Sequence, residues 1–201
     1  MSYTELIAIL RCPICGSDLE SLDDILRCSK CGNRYKVINN RIIDLVMTGE
    51  RGWVSFFERF PKIYDPWSRI GWRLTGRGSL ESFYSEFIKG FKGLEEGIAV
   101  DVGCGTGTLI SMLERKGFRG IIIGIDISMP MLRVAMGKTK KAIFLRASMD
   151  NIPLKDSVVD HYISSFAIHI AEDKEKVFKE MRRILKNMGS FRIAVATTNS
   201  I

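Results

Sequence analysis

Ile98-Ala-Val-Asp-Val-Gly-Cys-Gly-Thr-Gly107 is an apolar run that breaks onto glycines at positions 103, 105 and 107. A second apolar run, Ile121-Ile-Ile-Gly-Ile125, ends on Asp126. A strand feeding a glycine-rich turn, followed by a strand ending on an acid, is how open α/β sheets hold nucleotide-type ligands. A lone glycine loop is weak evidence, and this one is G-x-G-x-G, not G-x-G-x-x-G. The acid Asp101 and the acid Asp126 add to it. A dinucleotide wants bare backbone N–H groups around its pyrophosphate. A carboxylate at Asp101, beside a tighter loop, instead favours a ligand with an ammonium group and no phosphate. Asp126 is placed to accept both hydroxyls of a ribose.

Working outward, the chain alternates strand and helix from Gly97 onward. Strands are expected at Ile98–Val102, Ile121–Ile125, Ala142–Leu145, Val159–Ser164 and Phe191–Ala196. Helices are expected at Thr108–Arg115, Met129–Met136 and Lys174–Lys186. This alternation predicts an α/β fold: a Rossmann-like, doubly wound, mostly parallel sheet with right-handed crossovers. Ligands then bind at the carboxyl ends of the strands.

Four of the five cysteines form Cys12-x-x-Cys15 and Cys28-x-x-Cys31, with 12 residues between the pairs. Each pair makes a tight knuckle, and two knuckles together complete a tetrahedral thiolate site suited to Zn²⁺. All four ligands are cysteine, so the site is closed and structural. Disulfides fit poorly with an intracellular chain. Short strands are expected at Ile25–Cys28, Tyr35–Ile38 and Arg41–Leu45, giving a small N-terminal β zinc ribbon over residues 1–46. A segment of that size has little core, so the metal supplies much of its folding energy.

Residues 47–96 lack a strand pattern and hold all three tryptophans. Phe83, Phe87, Ile88 and Phe91 recur at helical spacing, predicting an amphipathic helix over Ser79–Lys92. Tyr64-Asp65-Pro66-Trp67 predicts a break after a short helix. Gly71, Gly76 and Gly78 with Arg69, Arg73 and Arg77 read as a mobile basic loop. The segment is an aromatic-rich linker that could lid the pocket, although most of its aromatics are expected simply to pack on the core. Residues 97–201 are the ligand-binding domain.

Lys and Arg outnumber Asp and Glu by 30 to 23, a net charge of +7. This is compatible with a polyanionic partner, and equally with a role in solubility alone. No apolar run reaches the ~20 residues that span a bilayer, and the first ten residues do not read as a secretory signal. The expected location is cytoplasmic.

Asp101-Val-Gly-Cys-Gly-Thr-Gly107 and Gly124-Ile-Asp-Ile-Ser-Met-Pro-Met-Leu132 resemble the first two motifs of class I S-adenosylmethionine-dependent methyltransferases. The resemblance extends through Arg146-Ala-Ser-Met-Asp-Asn-Ile-Pro-Leu154, Asp160-His-Tyr-Ile-Ser-Ser-Phe166 and Glu180-Met-Arg-Arg-Ile-Leu-Lys-Asn-Met-Gly189. It implies a cofactor-lining set of Asp101, Gly103, Cys104, Gly105, Gly107, Asp126, Ile127, Met131, Ser148, Met149 and Ser164. In it the glycine loop holds the methionine end, Asp126 the ribose, and Ser148 with Met149 the adenine. Many relatives carry Asp where Ser148 stands. Cys104 is read as packing.

A zinc ribbon ahead of such a domain is similar to rRNA guanine methyltransferases, and the ribbon alone resembles the small zinc-binding activators of RNA and protein methyltransferases. Tyr64-Asp65 and the second motif look like quinone-biosynthesis and other small-molecule methyltransferases. The resemblance therefore implies a methyl acceptor that is RNA or a small molecule. No catalytic residue is assigned: His169 is the only plausible titrating group at that edge, and a packing role for it is the simpler reading, as for His161. The family's sheet normally adds two strands after the fifth. Strand five would thus be an open edge, to be covered by a second copy, a partner protein or the middle segment. An inactive cofactor-binding subunit is the remaining alternative.

Overall fold

A computed structural model describes residues 3–46, 61–74, 76, 78–89 and 96–195. Its nine strands are β1 (Leu19–Leu22), β2 (Ile25–Cys28), β3 (Arg34–Ile38), β4 (Ile42–Asp44), β5 (Ile98–Val102), β6 (Ile121–Asp126), β7 (Ile143–Arg146), β8 (Val159–Ser165) and β9 (Leu185–Ala194). They form one sheet in the order β1-β2-β3-β4-β7-β6-β5-β8-β9. β1 to β4 are an antiparallel meander. Every pairing from β4 to β9 is parallel. The fold is therefore the expected Rossmann-like, mostly parallel α/β architecture with N-terminal antiparallel strands.

The ribbon is not a separate appendage. β4 pairs with β7 in parallel, Ile42 opposite Phe144, Ile43 opposite Leu145 and Asp44 opposite Arg146. The two sheets are one, and one face shows it. Leu26, Tyr35, Val37 and Ile43 of the ribbon share a hydrophobic core with Val100, Val102, Ile123, Ile125 and Leu145. On the other face Ile42 joins Ile110, Leu113, Leu132, Phe144 and Ile163. Both faces of β5, β6 and β7 are covered, which is why these strands read as continuous apolar runs. Gly124 is required by this packing: a Cβ there would lie 2.7 Å from the Phe144 ring and 2.8 Å from Ile110.

Helices α1 (Tyr3–Ile9), α2 (Pro61–Leu74), α3 (Leu80–Lys89), α4 (Thr108–Arg115), α5 (Met129–Lys138) and α6 (Lys174–Ile184) complete the described elements, with a short 3₁₀ turn at Ile168–Ile170. α1 and β1 were not expected from sequence. A seven-residue helix is too short to print a period, yet it and the residue after it bury Leu6 and Leu10 almost completely. Burying each contributes about 2 kcal/mol.

The middle segment differs from its sequence reading in three ways. Pro66 lies inside α2, so Tyr64–Trp67 is not a break. Pro66 falls in the second turn, where its missing N–H frees only the carbonyl of a residue in the first. Gly71, Arg69 and Arg73 are helical, not part of a loop, and Arg69 pairs with Glu81 of α3 at 2.7 Å. α3 ends at Lys89; Trp53, Arg77 and Phe91 lie outside the described residues. Trp72 and Phe83 do pack, with ring centroids 4.9 Å apart, whereas Trp67 is 69% exposed.

α6 starts on an Asp173 cap, whose carboxylate accepts the Lys176 N–H at 2.9 Å. It stops at Ile184, and β9 begins at once, earlier than the expected Phe191. Among the described residues no strand pairs with the outer edge of β9, and Phe191 on it is 59% exposed. No described helix is long and apolar enough to cross a membrane.

Candidate cofactor crevice and cysteine cluster

The parallel strands β5 and β6 end side by side on Val102 and Asp126. The turn after β5 folds back over them: the N–H groups of Gly103 and Cys104 both donate to the Ile125 carbonyl, at 2.8 and 3.0 Å. Gly103 has φ +73° and touches Ala167 so closely that a Cβ would lie 2.2 Å from the Ala167 methyl. Only glycine fits, and the turn is thereby pressed against the residues that follow β8. Gly105 is different: an added Cβ would meet open space. Gly107 leads directly into α4, so the amino end of that helix faces the loop.

Asp126 anchors the turn. One carboxylate oxygen accepts the Gly105 N–H at 2.8 Å and the other the Ser128 N–H at 2.9 Å. Each oxygen keeps lone-pair capacity for an added donor. Burial raises its carboxyl above the usual carboxylate range. Asp101 sits beneath, 2% exposed. Its Oδ1 is buried with no hydrogen-bond partner. Burial, and then the Asp126 charge, pushes its carboxyl up to about 7. An orphaned buried carboxylate oxygen is costly, and a ligand cation would relieve it.

The remaining expected residues surround the same tips. Met131 is buried at the start of α5, Ile127 follows Asp126, and Ser148 and Met149 are half-buried just after β7. The Met149 Cε lies 3.8 Å from where a Gly103 Cβ would be. Ser164 is fully buried and donates to the Val102 carbonyl at 2.8 Å, clamping β8 to β5. Cys104 is buried, and burial holds its thiol well above the ordinary range. That is packing, not nucleophilic activation. His169 is exposed on the 3₁₀ turn. His161 is buried between Ser190 Oγ (2.8 Å) and the Glu96 carbonyl (3.2 Å), at the opposite end of its strand.

The segment expected as a possible lid does close one side through α2, by a contact of Asp65 that the sequence did not single out. Asp65 forms an ion pair with Lys138 of α5 and accepts from the Thr106 hydroxyl in the glycine loop. Its partner Thr106 is buried. The Tyr64 phenol is pushed upward by burial and by the Asp126 and Asp65 carboxylates. The Tyr64-Asp65 pair was visible in the sequence, but only as a family likeness. A cavity of about 810 Å³ lies elsewhere, along the amino ends of β6 and β7. Of its two lining carboxylates, Asp23 and Glu114, the second is already spent on the N–H groups of Lys140, Lys141 and Ala142, each at 2.8 Å.

The sulfurs of Cys12, Cys15, Cys28 and Cys31 converge within 4.8 Å of one another. Cys12–Cys31 are 3.6 Å apart and Cys15–Cys28 3.4 Å. A disulfide needs about 2.05 Å, whereas four thiolates at about 2.3 Å from a tetrahedral Zn²⁺ lie roughly 3.8 Å apart. Donors surround them: the Tyr35 hydroxyl is 3.0 Å from Cys12 Sγ, and Asn33 Nδ2 donates to Cys31 Sγ at 3.1 Å. On the ribbon's other face Arg27 and Arg34 are direct cross-strand partners and Lys36 follows, all exposed.

Fold and crevice are similar to those of solved methyltransferases. Residues 100–193 match the family model described as Methyltransferase domain. An uncharacterized protein of Methanocaldococcus jannaschii is 31% identical over 151 residues, which cover 75% of this chain and 54% of that one. Demethylmenaquinone methyltransferase of Thermotoga maritima is 32% identical over 90 residues, 45% of this chain and 39% of that one. A solved complex of the Haloferax volcanii Trm112 methyltransferase activator with a methyltransferase matches with TM-score 0.57 and 26% identity, covering 72% of this chain and 61% of that one. The chain spans about half the length of the first of these relatives.

Proposed function

We propose that this chain transfers a methyl group from S-adenosylmethionine to RNA. The observation that carries the cofactor reading is the unpartnered, buried Oδ1 of Asp101 under an open glycine turn. Asp101 Oδ1 would hold the ammonium of S-adenosylmethionine and Asp126 its ribose, and the bound cofactor would supply an already activated methyl. The residues then have modest tasks. Asp101 holds the amino group, and Asp126 takes the ribose hydroxyls on its free lone pairs. Gly103 keeps the turn low, and α2 closes one side through Asp65 and Thr106. Aligning an acceptor and excluding water is most of the chemistry, and no general base is obligatory for a nucleophile that is already deprotonated.

The RNA assignment rests on the ribbon. Its open face carries the pair Arg27–Arg34 and Lys36, and like charges directly opposite one another destabilise a sheet unless an anion meets them. None of the ion pairs among the described residues uses these three. Lys36, Asp44, Arg146 and Asp126 are successive partners across β3, β4, β7 and β6. That places the basic face roughly 14 Å, three strand spacings, from the ribose carboxylate. The Haloferax complex, in which a methyltransferase is bound to an activator, raises a partner protein as a component. The four cysteines hold a structural Zn²⁺. A small quinone-like acceptor is the second reading, favoured by the Thermotoga relative.

The test offers labelled S-adenosylmethionine with total RNA and, separately, a lipid extract. Label in RNA, with binding that weakens steeply as salt rises, supports the proposal. Label in lipid alone replaces it with the second reading.

A further inference from the structure

Two of the ribbon's contacts with the cofactor half of the sheet each lie one hydrogen bond from a residue expected against the adenosine. The first is an arginine bridge. Asp44, the last residue of β4, pairs with Arg146 at the end of β7, Nη1 to Oδ2 at 3.2 Å. The same guanidinium donates through Nε to the Ile127 carbonyl at 2.9 Å. Ile127 directly follows Asp126. The ribbon thus grips, through one side chain, the segment that carries the ribose carboxylate.

The second point is the first cysteine knuckle. The carbonyl of Pro13, between Cys12 and Cys15, accepts from Asn151 Nδ2 at 3.0 Å. Asn151 closes the turn of the adenine-side loop, its own N–H donating to the Ser148 carbonyl at 3.2 Å. Backbone bonds fasten the two segments on either side: Arg11 N–H to the Pro153 carbonyl at 3.1 Å, and Lys155 N–H to the Ile9 carbonyl at 2.8 Å. Glu180 of α6 closes the far side, accepting the Ile152 N–H at 2.7 Å with Arg11 Nη2 3.5 Å away. The loop of Ser148 and Met149 is therefore clasped by a knuckle.

We propose that Asp44 and Asn151 are positioning residues for the adenosine end of the cofactor: the ribbon shapes that end of the crevice without entering it. The inference rests on the reading that the crevice takes S-adenosylmethionine. It assigns the ribbon a second task besides docking substrate. The arrangement is local to two loops, so its loss acts on the nucleoside end and leaves the Asp101 end intact.

The test is calorimetry on the full, metal-loaded chain with two probes, S-adenosylhomocysteine and methylthioadenosine, which lacks the amino-acid end. Asp44→Asn and Asn151→Asp change charge or donor character with almost no change in volume. Each is expected to weaken both probes by the same factor, about tenfold, as for a lost charged or buried hydrogen bond. Asp101→Asn is expected to weaken S-adenosylhomocysteine alone. Should either variant melt early, Arg146→Lys supplies the comparison, since it keeps the pair with Asp44 and loses the fork that reaches Ile127. Affinities for both probes within twofold of the parent in folded variants would overturn the proposal. If the parent chain binds neither probe, the cofactor reading itself fails, and the proposal with it.

Discussion

The guanidinium of Arg41, in the turn before β4, donates to both the carbonyl (2.9 Å) and the hydroxyl (2.7 Å) of Thr139, the residue that ends α5. It also reaches the carbonyls of Met136 (3.1 Å) and Ala142 (3.0 and 2.8 Å). A ribbon cation thus closes the carboxyl end of a helix of the parallel half, where the helix dipole favours it. Arg41→Ala leaves several half-buried acceptors unmet, and is expected to cost about 3 kcal/mol. Arg41→Lys recovers only part, because a lysine cannot present a planar fork. Urea titration of the three proteins measures this directly.

Asp101 gives a pH dependence with a definite sign. Its carboxyl titrates near 7 in the folded chain because of burial and the adjacent Asp126, against about 3.8 for an ordinary aspartate. Between those pH values the folded state holds a proton that the unfolded state has released. The contribution to stability is full below about pH 4 and is lost as pH rises through about 7. Cofactor binding runs the other way, since an ammonium ligand prefers the ionised form. Affinity for S-adenosylhomocysteine should rise between pH 6 and 8, and Asp101→Asn should flatten both curves.

Gly103→Ala is expected to abolish cofactor binding while the ribbon stays folded. The position needs φ +73°, and the new methyl would have to displace Ala167 from a 2.2 Å approach. Turn and post-β8 segment must then separate, by a movement comparable to the space a ligand needs. Calorimetry with S-adenosylhomocysteine checks binding, and zinc content checks the ribbon.

Stripping the cysteine site with a chelator should destabilise more than the ribbon. A structural zinc contributes on the order of 10 kcal/mol to a small domain. With the proposed Zn²⁺ bound there, its loss would also free β4, and with it the bond from the Phe144 N–H to the Arg41 carbonyl at 2.7 Å. Hydrogen exchange at Phe144 and Leu145, on the parallel half, should quicken on chelation, while exchange in β8 changes far less.

Much of the fold is legible in the sequence because its elements are locally encoded. β5 and α4 fall on the residues their apolar pattern marks, and the cysteine spacing announces the knuckles. Asp101 and Asp126 announce themselves as acids at strand ends. What is not legible is what depends on distant partners. The β4–β7 pairing joins segments whose own patterns say only "strand". The Asp65–Thr106 contact and the Arg146 bridge join side chains that nothing in the local sequence connects. Pro66 misleads because a proline early in a helix reads like a stop. Ser164 carries a family expectation, whereas its hydroxyl is spent on the Val102 carbonyl.

The parallel joint of Ile42–Asp44 with Phe144–Arg146 has a consequence for how the chain comes together. A strand translated early must wait for one translated about a hundred residues later, so the seam closes late and over a long loop, the kind of contact that slows folding. In a nascent chain the cysteine knuckles can capture their ion soon after emerging, yet the edge of β4 stays open until β7 arrives. With the proposed Zn²⁺, ribbon first and seam last is the expected order of assembly.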